Sequence, residues 1–212
     1  MGYHIVEQGE CLSRIARVSG IANWRTIYDH PNNREFRQRR PDPNVIHPGD
    51  RIFIPDRELR TEACSTERRH RFRLSRAKTF LRLRILGDDG NPAAGRPYRL
   101  VLGESAYQGS TATDGCLKHE IDPGAESALL TVEIASGVRH TWSLRIGHLD
   151  PIEEVTGIQA RLCNMGYFCA VDGIAGPETA EAVRRFQRRH QLAVDGVAGS
   201  RTRDKLREVY GC

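Results

Sequence analysis

Asp172-Gly173-Ile174-Ala175-Gly176 returns 23 residues later as Asp195-Gly196-Val197-Ala198-Gly199, with a Thr three positions after the last Gly each time, Thr179 and Thr202. Apolar residues at helical spacing surround this echo. Val155, Ile158, Leu162 and Met165 share one helix face, and Gly166 closes it. Pro177 suits the first turn of a second helix, where its missing N–H would be unpaired in any case. Ala182, Val183 and Phe186 supply that helix's apolar stripe. Gly199-Ser200 opens a third, with Leu206, Val209 and Tyr210 facing inward. Three short helices joined by two Asp-Gly turns can share one small core. A tight turn used twice at a fixed offset marks a small helical module rather than an enzyme cleft.

Working outward, a chain of 212 residues with 20 Gly and 10 Pro has many turns, which favours several compact modules over one large core. Residues 1–56 read as strand, helix, helix, strand. Tyr3 and Ile5 begin it, Leu12, Ile15, Ala16 and Val18 form a helical face ending at Gly20, and Trp24, Ile27 and Tyr28 form another. Pro48-Gly49-Asp50 then turns into the strand Ile52-Phe53-Ile54, stopped by Pro55. Residues 57–76 form a charged linker with only Phe72 and Leu74 to suggest burial. Residues 77–149 carry five or six short strands: Phe80 to Leu86, Tyr98 to Leu102, Leu117 to Ile121, Leu129 to Ile134 and His140 to Ile146. Turns separate them at Asp88-Asp89-Gly90-Asn91 and at Thr111 to Gly115. The expected architecture is a multidomain α+β chain: a small βααβ unit, a central β-sandwich and a C-terminal three-helix bundle over 150–212.

Composition narrows function. No run approaches the roughly 20 apolar residues of a membrane span. The opening Met1 to Gly9 lacks the basic start and apolar run of a signal peptide, and Met1-Gly2 alone is not a lipidation signal. Synthesis in the cytoplasm, with any export by a non-Sec route to the periplasm or cell exterior, is therefore expected. The net charge of +5 comes largely from arginines between Arg34 and Arg40 and between Arg68 and Arg76. These runs carry no recognisable pattern of interleaved stacking aromatics and no recognition-helix or zinc-finger signature, so they read as solvated charge rather than a nucleic-acid surface. Six cysteines, at 11, 64, 116, 163, 169 and 212, include no CxxC pair. Cys163 and Cys169 bracket a helix end, so they are a candidate disulfide in an oxidising compartment, with two free buried thiols as the alternative.

The N-terminal residues Tyr3, Ile5 or Val6, Gly9-Glu10, Leu12, Ile15-Ala16 and Gly20, closing with Pro48-Gly49 and Ile54-Pro55, resemble a LysM domain. Trp24, Ile27 and Asn33 also fall where that family keeps similar residues, whereas Arg34 to Asn44 is longer and more basic than its usual loop. The resemblance implies binding of N-acetylglucosamine polymers, chitin or peptidoglycan, in a groove between two loops. Carried over, the glycan-binding candidates are Gly9, Glu10, Cys11 and Leu12 on one side, with Tyr28, Asp29, Asn32, Asn33, Ile46 and His47 on the other. Leu12 and Ile46 have core packing as their alternative role, and Asn32-Asn33 an ordinary turn.

At the other end, Val155, Ile158-Gln159, Leu162, Gly166-Tyr167, Asp172-Gly173, Gly176-Pro177, Thr179, Ala182-Val183, Phe186-Gln187, Leu192, Asp195-Gly196, Gly199, Thr202 and Leu206 closely resemble the PG_binding_1 type of peptidoglycan-binding domain. Most of that motif is architectural. Tyr167, Asp172, Ile174, Arg184 and Gln187 are the candidates for exposed wall contacts. The central stretch, with Gly95-Arg96-Pro97-Tyr98-Arg99-Leu100 and Gly109 to Gly115, is similar to spacer or adaptor sandwiches of bacterial surface and secretion proteins.

No HExxH, GxSxG or Cys–His arrangement of a wall hydrolase is present in the sequence. Glu104 with Glu120 or Glu133 is the one carboxylate pairing a glycosidase reading would need. His119, His140 and His148 have no metal-site spacing. The expectation is a non-enzymatic peptidoglycan-binding protein with no cofactor and no metal. The alternatives are an adaptor that binds a spike, baseplate or effector protein of a contractile (type VI-like or phage-like) injection machine, and a cell-wall hydrolase.

Overall fold

The computed structural model describes residues 2–57, 63–71, 78–87, 89–135 and 137–211. Phe72 and Leu74 of the linker, Asp88 of the expected turn, Met1 and Cys212 lie outside these residues. The chain is mixed α and β, with short antiparallel sheets and helices gathered mainly at the two ends.

At the N-terminus, β1 (Gly2–Ile5) pairs antiparallel with β2 (Arg51–Ile54), Gly2 opposite Ile54 and Ile5 opposite Arg51. Between them run α1 (Leu12–Val18), α2 (Trp24–Tyr28), a single 3₁₀ turn (Pro31–Asn33) and α3 (Arg34–Arg39). Leu12, Ile15 and Ala16 lie at i, i+3 and i+4, so one face of α1 is buried. The side chain of Asn23 caps α2 by accepting the Arg25 N–H. The helix α3 replaces what the sequence suggested was loop. Its single apolar anchor, Phe36, is buried edge-on to Tyr28 with ring centroids 6.0 Å apart. One anchor among charged neighbours gives no periodicity to detect.

In the middle of the chain, β3 (Thr79–Arg84) pairs with β6 (Cys116–Ile121). A second sheet, β5-β4-β7-β8, is built from β4 (Pro97–Leu102), β5 (Ser105–Ser110), β7 (Ser127–Ala135) and β8 (Val138–Arg145). Leu81, Leu83 and Leu117 of the smaller sheet join Leu100, Leu130 and Val132 of the larger in one apolar cluster. Strand β5 was not expected, because Ser-Ala-Tyr-Gln-Gly-Ser lacks apolar alternation. It forms through a tight connection that places Ser105 opposite Leu102.

The C-terminal helices are α4 (Val155–Asn164), α5 (Pro177–Arg189) and α6 (Ser200–Tyr210). Pro177 occupies the first turn of α5 and Gly199 the N-cap of α6, as their chemistry requires. Ile152, Ile158, Leu162, Ala182, Val183, Phe186 and Leu206 make up the shared core. Gly157 lets the chain before α4 fold back onto it: a Cβ there would overlap the carbonyl oxygens of Pro151 and Asp150.

Contacts join these stretches. Arg17 Nη1 donates to both carboxylate oxygens of Asp122, at 2.5 and 2.6 Å, Arg14 donates to Glu126 at 2.8 Å, and Arg189 donates to the carbonyl of Asp89 at 2.5 Å. Among the described residues no helix is long and apolar enough to cross a membrane.

Candidate functional site

The duplicated sequence folds into a duplicated hydrogen-bond network. Gln159, fully buried on α4, donates through Nε2 to Asp172 Oδ1 (2.9 Å), the Ile174 carbonyl (3.0 Å) and Thr179 Oγ1 (2.9 Å). Its Oε1 accepts the N–H groups of Asp172 (3.2 Å) and Gly173 (2.9 Å). Gln187 on α5 repeats the pattern with Asp195 Oδ1 (2.7 Å), the Val197 carbonyl (3.1 Å), Thr202 Oγ1 (3.1 Å), and the N–H groups of Asp195 (3.1 Å) and Gly196 (3.0 Å). Each Asp also accepts the N–H two residues on, from Ile174 at 2.9 Å and from Val197 at 2.8 Å. Gly173 and Gly196 stand at φ +78° and +76°, the left-handed turn position that favours glycine. One amide side chain thus satisfies most of the polar backbone of each turn.

The same bonds set the electrostatics. The Ile174 N–H first, then the Gln159 amide, holds the Asp172 carboxyl below the usual carboxylate range. For Asp195 the Val197 N–H leads, followed by Gln187. Burial pushes the Tyr167 hydroxyl up, and burial followed by the nearby Cys163 pushes the Cys169 thiol up. Both cysteines are free thiols in this structure.

Of the wall-contact candidates, Gln187 has to be corrected. It is 1% exposed and spends its amide on the second turn, so it is a structural anchor rather than an exposed contact. The carboxylate of Asp172 is likewise committed to its own turn. Tyr167 is half-buried, edge-on to Phe186 with centroids 5.6 Å apart, and Arg184 lays its guanidinium against the Gly196 turn. Ile174 is 66% exposed, and its repeat partner Val197 is 62% exposed. Val171 and Val194, one repeat apart, and Phe168 are exposed as well. The sequence reading singled out only Ile174 of these. The 23-residue offset that relates it to Val197 was the available signal.

The N-terminal candidates divide. Leu12 and Ile46 belong to the core with Val6, Ile15, Ile27 and Ile52. Asn33 is buried too: its Nδ2 donates to the carbonyls of Ile27 and Phe53, both at 2.8 Å, and its Oδ1 accepts the Phe53 N–H at 2.7 Å. These three therefore cannot line an open groove. Glu10 accepts the Glu7 N–H at 2.9 Å and lies 2.6 Å from His4 Nε2, which ties down its own loop. Tyr28 donates its hydroxyl to the carbonyls of Arg40 (2.8 Å) and Pro41 (3.0 Å), and His47 gives its N–H to Asp50. Asp29 and Asn32 are exposed. The loop that carries Gly9 and Cys11 faces the central sheets. Gly147 backs onto Gly9, Gln8 meets His148 at 3.3 Å, and Cys11 Sγ lies 3.9 Å from the Pro123 carbonyl.

Elsewhere, His119 sits between Tyr98 and Tyr107, bonded to the Tyr98 hydroxyl at 2.7 Å, and His140 packs on Trp142. Glu120 takes Lys78 at 2.7 Å and Glu133 faces Arg139 at 3.7 Å. Among the described residues no three His, Cys, Asp or Glu side chains converge as a metal site. Residues 152–206 match the family model of a putative peptidoglycan binding domain. No curated protein and no solved structure matches the chain.

Proposed function

We propose that the chain is a non-catalytic peptidoglycan-binding protein that anchors or targets to the bacterial cell wall through its C-terminal helical unit. The match over residues 152–206 carries this reading. The paired turns support it, because they hold Ile174 and Val197 outward on rigid backbone where a wall polymer can pack. In this reading 1–56, 77–149 and 150–212 are separate modules: a LysM-like unit, a β-sandwich spacer and the wall-binding bundle.

A second reading applies to the N-terminal unit. Its Gly9 to Leu12 loop is turned towards the central sheets, and Arg14 and Arg17 bond Glu126 and Asp122 there. That favours the unit as a protein-docking element, as in an adaptor of a contractile injection machine, over a glycan reader.

Sedimentation with protein-free sacculi tests the main reading. The full chain should pellet at low and at moderate salt, and Ile174→Asp with Val197→Asp should release it. Pelleting that vanishes with moderate salt would reduce the interaction to charge attraction, and absence of pelleting at low salt would refute wall binding.

A further inference from the structure

A cleft of about 500 Å³ lies between the N-terminal unit and the helical bundle, within the roughly 300–1,000 Å³ common for small-ligand sites. One wall is the end of α3 and the segment that follows it, from Arg39 to Val45, and the other is the turn Pro151 to Glu153 with Arg161 and Arg207.

Two buried arginines build the walls. Arg40, 8% exposed, bonds Asp50 through Nε at 2.9 Å and reaches towards Glu154 across the cleft at 3.9 Å. Its own backbone carbonyl is pinned by the Tyr28 hydroxyl. Arg161, 1% exposed, donates to the carbonyls of Asp150 (2.7 Å) and Gly157 (2.9 Å) and so fixes the opposing turn on α4. Arg207 is committed to Glu153 at 2.6 Å and Asp204 at 2.9 Å. The exposed guanidinium of Arg39 has no acidic partner among the described residues.

That distribution selects a ligand. One uncommitted guanidinium matches one carboxylate rather than a dianionic phosphate, whose second charge would be left unpaired beside Asp42. Val45 and Ile152, both largely buried, form the apolar floor of the cleft with the flanking Pro41 and Pro151, against which a short aliphatic side chain would rest. We propose that this cleft binds a short peptide bearing a free carboxylate, and that in the wall its ligand is the peptide stem of peptidoglycan rather than the glycan. The stem part of this inference rests on the peptidoglycan reading above. The two walls come from opposite ends of the chain, so neither end alone contains the site.

The test is a ¹H–¹⁵N NMR titration of the full chain with three probes: synthetic L-Ala-γ-D-Glu-L-Lys-D-Ala, the same peptide with its carboxyls amidated, and an N-acetylglucosamine tetramer. The free peptide should shift amides at Arg39, Val45 and Ile152. Amidation, or Arg39→Gln at this exposed position, should each weaken binding by about tenfold or more. Equal binding of free and amidated peptides, unchanged affinity in Arg39→Gln, or shifts confined to other regions would overturn the site. An ordinary α-linked L-Ala-Glu-Lys-Ala peptide that binds equally well would overturn the stem assignment in favour of a protein tail. If the full chain pellets with sacculi yet the stem peptide does not bind, the cleft proposal fails and the peptidoglycan reading stands. Failure of the chain to pellet refutes that reading and with it the stem assignment.

Discussion

Replacing Gln187 by Met removes the amide while keeping nearly the same volume, so the loss isolates hydrogen bonding from cavity formation. The Asp195 and Gly196 N–H groups lose their acceptor, whereas the Val197 carbonyl keeps the Gly199 N–H at 2.9 Å. Two stranded donors at a turn close to solvent cost about 1–1.5 kcal/mol each, the low end for unsatisfied buried groups. The total, about 2–3 kcal/mol, is a large part of the roughly 3–9 kcal/mol available to a unit of this size. Native-state hydrogen exchange on the full chain reads it directly. Protection of the amides of α5 and α6 should fall by about 30- to 150-fold, at 1.4 kcal/mol per tenfold. Gln159→Met strands the N–H groups of Asp172 and Gly173 in the same way, so its loss should fall in the same range of about 30- to 150-fold. The exposed Ile174→Ser should stay within about threefold of the parent. A loss below tenfold in either Gln variant would refute the claim that these amides hold the turns.

Gly157→Ala should destabilise the bundle by more than about 3 kcal/mol, because its Cβ would stand 2.6 Å from the Asp150 oxygen and closer still to that of Pro151; a thermal melt of the full chain would reveal the drop. Asn33→Ala should cost about 2–4 kcal/mol by stranding the Phe53 N–H and carbonyl, while the Ile27 carbonyl keeps the His30 N–H at 3.1 Å; the loss would be seen as lost exchange protection in β2. Burial first, then Lys205 and Arg189, lowers the His190 pKa below the ordinary value near 6.5, so the folded state favours the neutral ring. Its contribution is therefore present above that value and lost as pH falls towards the depressed one. The melting temperature of the bundle should drop as pH falls below about 6.5, and His190→Phe, which keeps a ring against Phe186, should flatten that drop.

How far the sequence reached depends on what kind of signal each element carries. The bundle was legible because Pro177, Gly199 and the stripe of Ala182, Val183 and Phe186 each point to the same helix starts and faces. Local propensity and periodicity agree there. Strand β5 was not legible, since Ser105–Ser110 acquires its strand character from pairing with β4 rather than from its own side chains. Helix α3 hides behind a single buried Phe36. Gln187 was misread because a polar residue in a motif looks like a ligand contact until its partners are known. Its five partners are backbone and side-chain groups 8–15 residues away, a pattern that only the closed turn reveals. The inward turn of the Gly9 loop was equally invisible, because its neighbours Pro123, Gly147 and His148 lie more than a hundred residues downstream.

The two copies of the turn differ in one respect. Gln159 reaches forward 13 residues to Asp172, whereas Gln187 reaches only 8 to Asp195. The additional chain in the first copy includes the exposed Phe168 and the Cys169 that follows it. Lengthening a loop from 8 to 13 residues costs only about 0.4 kcal/mol in closure entropy, a small fraction of what one buried amide secures. The first span is therefore a place where residues can be added beside Phe168 without disturbing the lock at its end, provided Tyr167 and Cys169 keep their packing on the core. The shorter second span has little slack, so innovation in this module should accumulate between α4 and Asp172.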